Sequence, residues 1–142
     1  MIEDMKTRLL GTWRLVSAVR EEVATGKTYA QFGEGAQGYI AYAADDRMMV
    51  LITGPGRAAA STDMERAKLQ QTMLSYAGRY IIEPDAVVHR IDVAWNPALV
   101  GVDQRRFVTF AADRLILRGA PGPSAVDGVV ARATITWQKV AA

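Results

Sequence analysis

The sequence predicts an all-β fold, an eight-stranded antiparallel up-and-down barrel with one inserted helix, and three observations predict it. Eight segments alternate apolar and polar residues with a period of two, as strands do when successive side chains point to opposite faces. Short turns rich in Gly, Asp, Asn and Pro separate most of them, so sequence neighbours pair as hairpins. One segment opens with a helical capping pattern. Closing the ring removes the edges that short strands would otherwise expose, and eight strands leave room for one small ligand. A two-sheet sandwich is the rival architecture.

The first strand, residues 12–22, sets Trp13, Leu15, Ser17 and Val19 against Arg14, Val16, Ala18 and Arg20, and turns at Thr25-Gly26-Lys27. Residues 38–42 and 47–52 form a hairpin around Asp45-Asp46. Gly54-Pro55-Gly56 breaks that ladder, and Thr62-Asp63-Met64-Glu65 has the spacing of a capping box. A helix is expected over 63–75. Leu69, Met73 and Tyr76 are its only apolar side, so it packs over the barrel rather than within it.

The fourth strand, 76–83, lines up Tyr76, Gly78, Tyr80 and Ile82 and turns at Pro84-Asp85. The fifth, 87–95, alternates Val87, His89, Ile91, Val93 and Trp95 against Val88, Arg90, Asp92 and Ala94, and its apolar face carries the only histidine. An ionisable group on the inward side of a small β-protein points to a lined cavity. After Asn96-Pro97 and Gly101, the sixth strand, 102–111, alternates Val102, Gln104, Arg106, Val108 and Phe110 against Asp103, Arg105, Phe107 and Thr109. Asp113 turns it into the seventh, 114–118. A loop rich in Gly and Pro, 119–128, leads to the eighth, 129–138, which gathers Ala131, Ala133, Ile135 and Trp137.

Composition bounds the function. The 142 residues, 50% hydrophobic and 23% charged, suit one domain over 1–142 with a real core. No apolar run is long enough to insert in a membrane. The first ten residues mix Glu3, Asp4, Lys6 and Arg8 with apolar residues, unlike a secretory signal, so a cytoplasmic location is expected. Without cysteine there are no disulfides or thiolate metal sites, and one histidine leaves any metal dependent on carboxylates; no metal or other cofactor is expected. The 17 basic residues are scattered and the net charge is only +2, which argues against a nucleic-acid partner. A homodimer is compatible with a barrel of this size, although no stripe of exposed aromatics marks an interface.

Two pattern matches are set aside. Gly54-Pro55-Gly56 lacks the spacing and the lysine of a phosphate loop. A serine hydrolase would need His89 beside a poised serine, and Ser17 is the only serine on a clearly inward face.

Candidate site residues follow from the inward faces. His89, whose ordinary pKa lies near neutrality, is the best general acid or base available; its ordinary alternative is a hydrogen-bonded core residue. Arg106 and Gln104 share a face with Val108 and Phe110. Arg106 there is either paired with a neighbouring carboxylate, turned to water in the opposite register with Phe107 inward, or waiting for a ligand carboxylate, enolate or phenolate. Tyr76 and Tyr80 share a face, whereas Tyr39 and Tyr42 lie on opposite faces of one strand; Tyr39, Tyr76 and Tyr80 are taken as hydroxyls able to orient a ligand. Leu15, Val19, Ile91, Val93, Val108 and Phe110 form the apolar wall. Met48, Met49, Met64 and Met73 are core filler or an adaptable mouth.

Leu10-Gly11-Thr12-Trp13-Arg14-Leu15-Val16-Ser17 resembles the Gly-x-Trp opening of lipocalins, and more closely the small bacterial and fungal proteins of the lipocalin-like domain family. The likeness continues in order through Gly38-Tyr39-Ile40-Ala41-Tyr42, Tyr76-Ala77-Gly78-Arg79-Tyr80, Val87-Val88-His89, Asn96-Pro97, Gly101-Val102-Asp103-Gln104-Arg105-Arg106, Leu115-Ile116-Leu117 and Thr136-Trp137-Gln138. The resemblance implies a barrel cavity for small, mostly apolar molecules, with Trp13 plugging one end, and some relatives in natural-product pathways are thought to act on polyketide-like substrates. The chain departs from secreted lipocalins in having no cysteine and no signal-like start. It also has Lys139 near the position where the family tends to place an arginine after the tryptophan, able to cap the Trp13 ring by a weaker cation contact.

Two functions are therefore expected. One is an intracellular binding protein for a hydrophobic or amphiphilic, anionic small molecule, anchored by Arg106 and His89. The alternative is an isomerase or cyclase acting on a polyketide-like or other small natural-product intermediate, in which His89 moves a proton while Arg106 or Tyr80 stabilises developing negative charge. A barrel used chiefly as a dimerisation surface is a third, plainer reading.

Overall fold

The alternating pattern becomes a closed ring of strands in a computed structural model that describes residues 2–123 and 128–141. In chain order the strands are β1 (Gly11–Glu22), β2 (Thr28–Ala30), β3 (Gln37–Tyr42), β4 (Arg47–Thr53), β5 (Met73–Ile82), β6 (Ala86–Ala94), β7 (Asp103–Ala111), β8 (Arg114–Arg118), β9 (Gly122–Pro123) and β10 (Val130–Lys139). They pair antiparallel in the order β2-β1-β3-β4-β5-β6-β7-β8-β10-β9, and a further β1–β10 ladder closes the ring. Eight of them are the staves of a barrel. The two- and three-residue strands β9 and β2 were not expected; they extend β10 and β1 beyond the ring. Residues 124–127 of the expected 119–128 loop lie outside the described residues.

Two helices accompany the barrel. The first, α1 (Ile2–Leu9), was not foreseen, because its apolar positions are too few to read as a helix face. It covers one end: Leu9 is fully buried, and the Trp13 indole donates to the Leu9 carbonyl at 2.9 Å. Lys139 Nζ sits 4.6 Å above the Trp13 ring and donates to the Leu10 carbonyl. The second helix, α2 (Asp63–Gln71), is capped by Thr62, whose hydroxyl accepts from the Glu65 amide at 3.2 Å. It is shorter than the expected 63–75. Met73, Leu74 and Ser75 pair instead with Thr53, Ile52 and Leu51, since the ladder satisfies their backbone groups once Thr72 has ended the helix. No residue of α2 is buried, so it lies over the barrel as expected.

Two β-bulges alter which side chains face inward, since one extra residue reverses the alternation beyond it. In β1 the pairing with β10 slips between Leu15 and Ser17. Ala18, opposite Ile135, then takes the inward place expected of Ser17 and Val19. In β6 the pairing with β5 slips between Ala77 and Gly78, leaving Asp92 unpaired in that ladder. His89 and Ile91 face the interior as expected, but Val93 is 65% exposed and Ala94 turns inward instead. Trp95 also leaves the inward row, and its indole donates to the Gln70 carbonyl of α2 at 3.1 Å.

Candidate functional site

Three strands converge on the histidine. On β6, His89 is 1% exposed, the one polar side chain among the fully buried described residues. Tyr42, the last residue of β3, brings its hydroxyl to His89 Nε2 at 2.7 Å, and Tyr76 of β5 brings its hydroxyl to His89 Nδ1 at 2.6 Å. Gly78 makes room between Tyr76 and Tyr80. A Cβ there would stand 1.9 Å from the Arg90 carbonyl oxygen, so only glycine lets β6 approach β5 so closely.

Burial sets the protonation of this group. Together with the nearby Arg106 cation, the smaller of the two causes, it lowers the His89 pKa to about 3, so the ring is neutral at physiological pH. Burial raises Tyr76 to about 12 against the opposing pull of Arg106, and holds Tyr42 well above its ordinary value. A neutral histidine between two neutral phenols results. The same physics disfavours the imidazolium form, which would be a buried cation beside a second cation.

Arg106 faces inward. It pairs across the ladder with the fully buried Val87, while Gln104 pairs with His89, and Val108 and Phe110 beyond them pack on the core. The opposite register, with Phe107 inward, does not occur. The alternative of an internal salt bridge does not occur either: among the described residues no carboxylate pairs with Arg106, whose Nη1 donates to the Arg105 carbonyl at 2.9 Å. Glu83 and Asp85 pair with Arg105 instead, on the outer face. Arg106 lies beside Gly119, where a Cβ would meet Nη1 at 3.5 Å.

The other expected site residues divide. Tyr76, Gln104, Ile91, Val108 and Phe110 stand on the inward face. Tyr80 is buried, but its hydroxyl is occupied by the Ala43 carbonyl at 2.6 Å and its ring meets Tyr42 edge-on at 5.0 Å, so it braces Tyr42 rather than facing a ligand. Tyr39 and Val93 are corrected: both lie outside, with Met49 and Leu51 on the same outer face of β3 to β6. Tyr39 is outside because Ile40 and Tyr42 take the inward positions, and its hydroxyl accepts from Arg14 at 2.6 Å. Tyr42 therefore takes the place sequence reasoning gave to Tyr39. The signal was available in the alternation, since Ile40, the most apolar residue of that strand, shares its parity with Tyr42.

A hollow of about 340 Å3 opens at the barrel end opposite α1, in the size range of small-molecule sites. Phe32, Leu74, Trp95, Leu99 and Ala133 supply apolar lining, with Gln31 and Arg132 among the polar residues. Gln31 Oε1 and Arg132 Nε are buried there with no hydrogen-bond partner. Neither was expected, because their placement depends on a loop and a rim rather than on strand periodicity. Leu74 precedes Tyr76 by two residues on the inward face of β5, so the hollow lies one pleat above the tyrosine. Among the described residues no group of three His, Cys, Asp or Glu side chains is placed to hold a metal ion.

A closed eight-stranded antiparallel barrel with an open mouth and polar groups inside defines a lipocalin-type architecture. The family model of the lipocalin-like domain matches residues 10–140, and the chain belongs to that family. No curated protein matches it. The family's barrel points to small-molecule binding in general, and no helix among the described residues is long and apolar enough to cross a membrane.

Proposed function

We propose that this protein binds a small, mostly apolar molecule bearing an oxygen anion, with Arg106 as its counter-charge. The observation that carries the reading is the inward guanidinium that no carboxylate answers among the described residues. An arginine in a protein interior is normally paired, and its planar fork holds a carboxylate or phenolate with two hydrogen bonds. Gln104, Tyr76, Ile91, Val108 and Phe110 share its face, and the hollow above Tyr76 supplies the entrance. We place the protein in the cytoplasm, where a chain without cysteine needs no oxidising environment.

Titration with 8-anilinonaphthalene-1-sulfonate, an aromatic anion that fluoresces in apolar surroundings, tests this. Arg106→Ala should weaken binding by about 1.5–3 kcal/mol, the usual worth of a hydrogen bond to a charged group, which is roughly 10- to 150-fold. Equal affinity in the two proteins removes Arg106 from the site.

A second reading, an isomerase or cyclase acting on a polyketide-like or other small natural-product intermediate, is favoured by the Tyr42–His89–Tyr76 chain, a hydrogen-bonded path along which a proton can move without leaving a buried charge. In that case His89→Ala lowers a turnover rate by about 10²–10⁴ while leaving binding largely intact. A carrier has no turnover to lose.

A further inference from the structure

Two hydroxyls meet the two ring nitrogens of His89. A neutral imidazole has one N–H and one lone pair. Tyr42 meets Nε2 and Tyr76 meets Nδ1, so one hydroxyl donates to the ring and the other accepts from it. The accepting hydroxyl keeps its own proton, and no third group among the described residues takes it. With the ring proton on Nδ1 the spare O–H belongs to Tyr76; with the proton on Nε2 it belongs to Tyr42. The two forms differ in no charge. In either one a buried donor is left unfilled, which is unfavourable.

Arg106 adds donors of the same kind, on the same inward face, with no carboxylate among the described residues to take them. Both spare groups, the phenolic O–H and the guanidinium N–H, are donors. We propose that the spare tyrosine proton and Arg106 form an oxyanion receptor whose switch is the His89 tautomer: a phenolate, enolate or carboxylate oxygen entering from the mouth takes the Tyr76 O–H and thereby fixes the ring proton on Nδ1. Tyr76 is the receiving side because it stands one pleat below the mouth hollow, whereas the Tyr42 ring is braced by Tyr80 nearer the end that α1 covers. The inference rests on the reading that a small anion enters the barrel. It adds which proton the anion meets.

His89 is the only histidine, so its two ring ¹⁵N resonances are assigned without ambiguity. Opposite tautomers are expected in two ligand-free variants at pH 7. In Tyr76→Phe the remaining Tyr42 donates to Nε2 and leaves Nδ1–H; in Tyr42→Phe the remaining Tyr76 donates to Nδ1 and leaves Nε2–H. The same tautomer in both variants, or a protonated ring in either, overturns the switch. In the second arm 4-nitrophenolate is titrated into the wild type. Saturation should leave a single Nδ1–H form and shift the dye's visible ionisation toward the anion by about tenfold in its equilibrium, a shift lost in both Tyr76→Phe and Arg106→Ala. A bound complex with Nε2–H overturns the switch but leaves the anion site standing. Failure of both 4-nitrophenolate and decanoate to bind overturns the receptor and the anion reading together, whatever the ligand-free tautomers show. If a phenylalanine variant does not fold, the wild-type titration decides alone.

Discussion

Acid should destabilise this protein through one residue. The folded-state pKa of His89 is about 3 and its ordinary value is 6.5, so below pH 6.5 the unfolded chain binds a proton that the folded chain refuses. The sign follows: the contribution to stability is complete above pH 6.5 and is lost as pH falls from 6.5 toward 3. At pH 4.5 the unfolded histidine is two units below its pKa and the folded one is still neutral. Two pH units below the unfolded pKa correspond to a loss of roughly 3 kcal/mol relative to pH 7.5. Tyr42 from β3, Tyr76 and Tyr80 from β5, and Arg106 from β7 face the ring, and the three phenols, all raised above their ordinary value, change no charge in this window. Surface carboxylates titrate there as well, so the comparison is with His89→Gln, whose amide keeps one donor and one acceptor but binds no proton. Urea unfolding followed by tryptophan fluorescence at pH 4.5, 5.5, 6.5 and 7.5 should show the wild type losing roughly 3 kcal/mol more than the variant across that range. Parallel profiles would refute the buried, neutral histidine.

Other substitutions test the frame that holds it. Gly78→Ala places a Cβ 1.9 Å from the Arg90 carbonyl oxygen and forces β5 from β6, with an expected cost of at least about 2 kcal/mol in chemical denaturation; a change below 0.5 kcal/mol would contradict the close approach. Leu9→Ala should cost about 2–4 kcal/mol, and a melting temperature equal to wild type would show that α1 is no part of the core. The bulge in β6 makes neighbours unequal: Ile91→Ala should cost about 2–4 kcal/mol, whereas Val93→Thr should change stability by under about 0.5 kcal/mol, and comparable costs would place the two side chains on one face after all.

Much of the barrel was legible because a period of two is a backbone property that survives in any strand with one buried face. The eight staves and the inward placement of His89 and Arg106 follow from it, while the cap at Thr62 is read from its Thr-x-x-Glu spacing. The misplaced residues of β1 and β6 have one cause, which is that alternation holds only until a bulge. Neither Val16 nor Asp92 announces one by residue type, yet beyond each the facing side chains exchange, which moved Ser17, Val19, Val93 and Trp95 off the inward row. The N-terminal helix was missed for a different reason. Its stability comes from Leu9 docking on the barrel end, and a tertiary contact leaves no periodic trace in eight residues.

The neutrality of His89 and the unanswered charge of Arg106 belong to one electrostatic fact. Burial is the larger reason that His89 stays neutral, and the inward Arg106 cation adds to the cost of charging it. A carboxylate beside Arg106 would relieve the smaller of these two causes and would also fill the site. Instead, the neighbouring carboxylates Glu83 and Asp85 are engaged by Arg105, one residue along and on the opposite face. The strand thus holds its acidic partners outside and its uncompensated cation inside. That separation favours an anion as the missing partner over water alone, because an anion relieves the guanidinium and the spare phenolic proton at once. Replacing a residue such as Gln104 by glutamate should therefore silence binding from within: an internal carboxylate would occupy Arg106, raise the His89 pKa toward its ordinary value, and compete with the anionic dye. If Gln104→Glu binds 8-anilinonaphthalene-1-sulfonate as tightly as the wild type, the charge of Arg106 is not what the ligand meets.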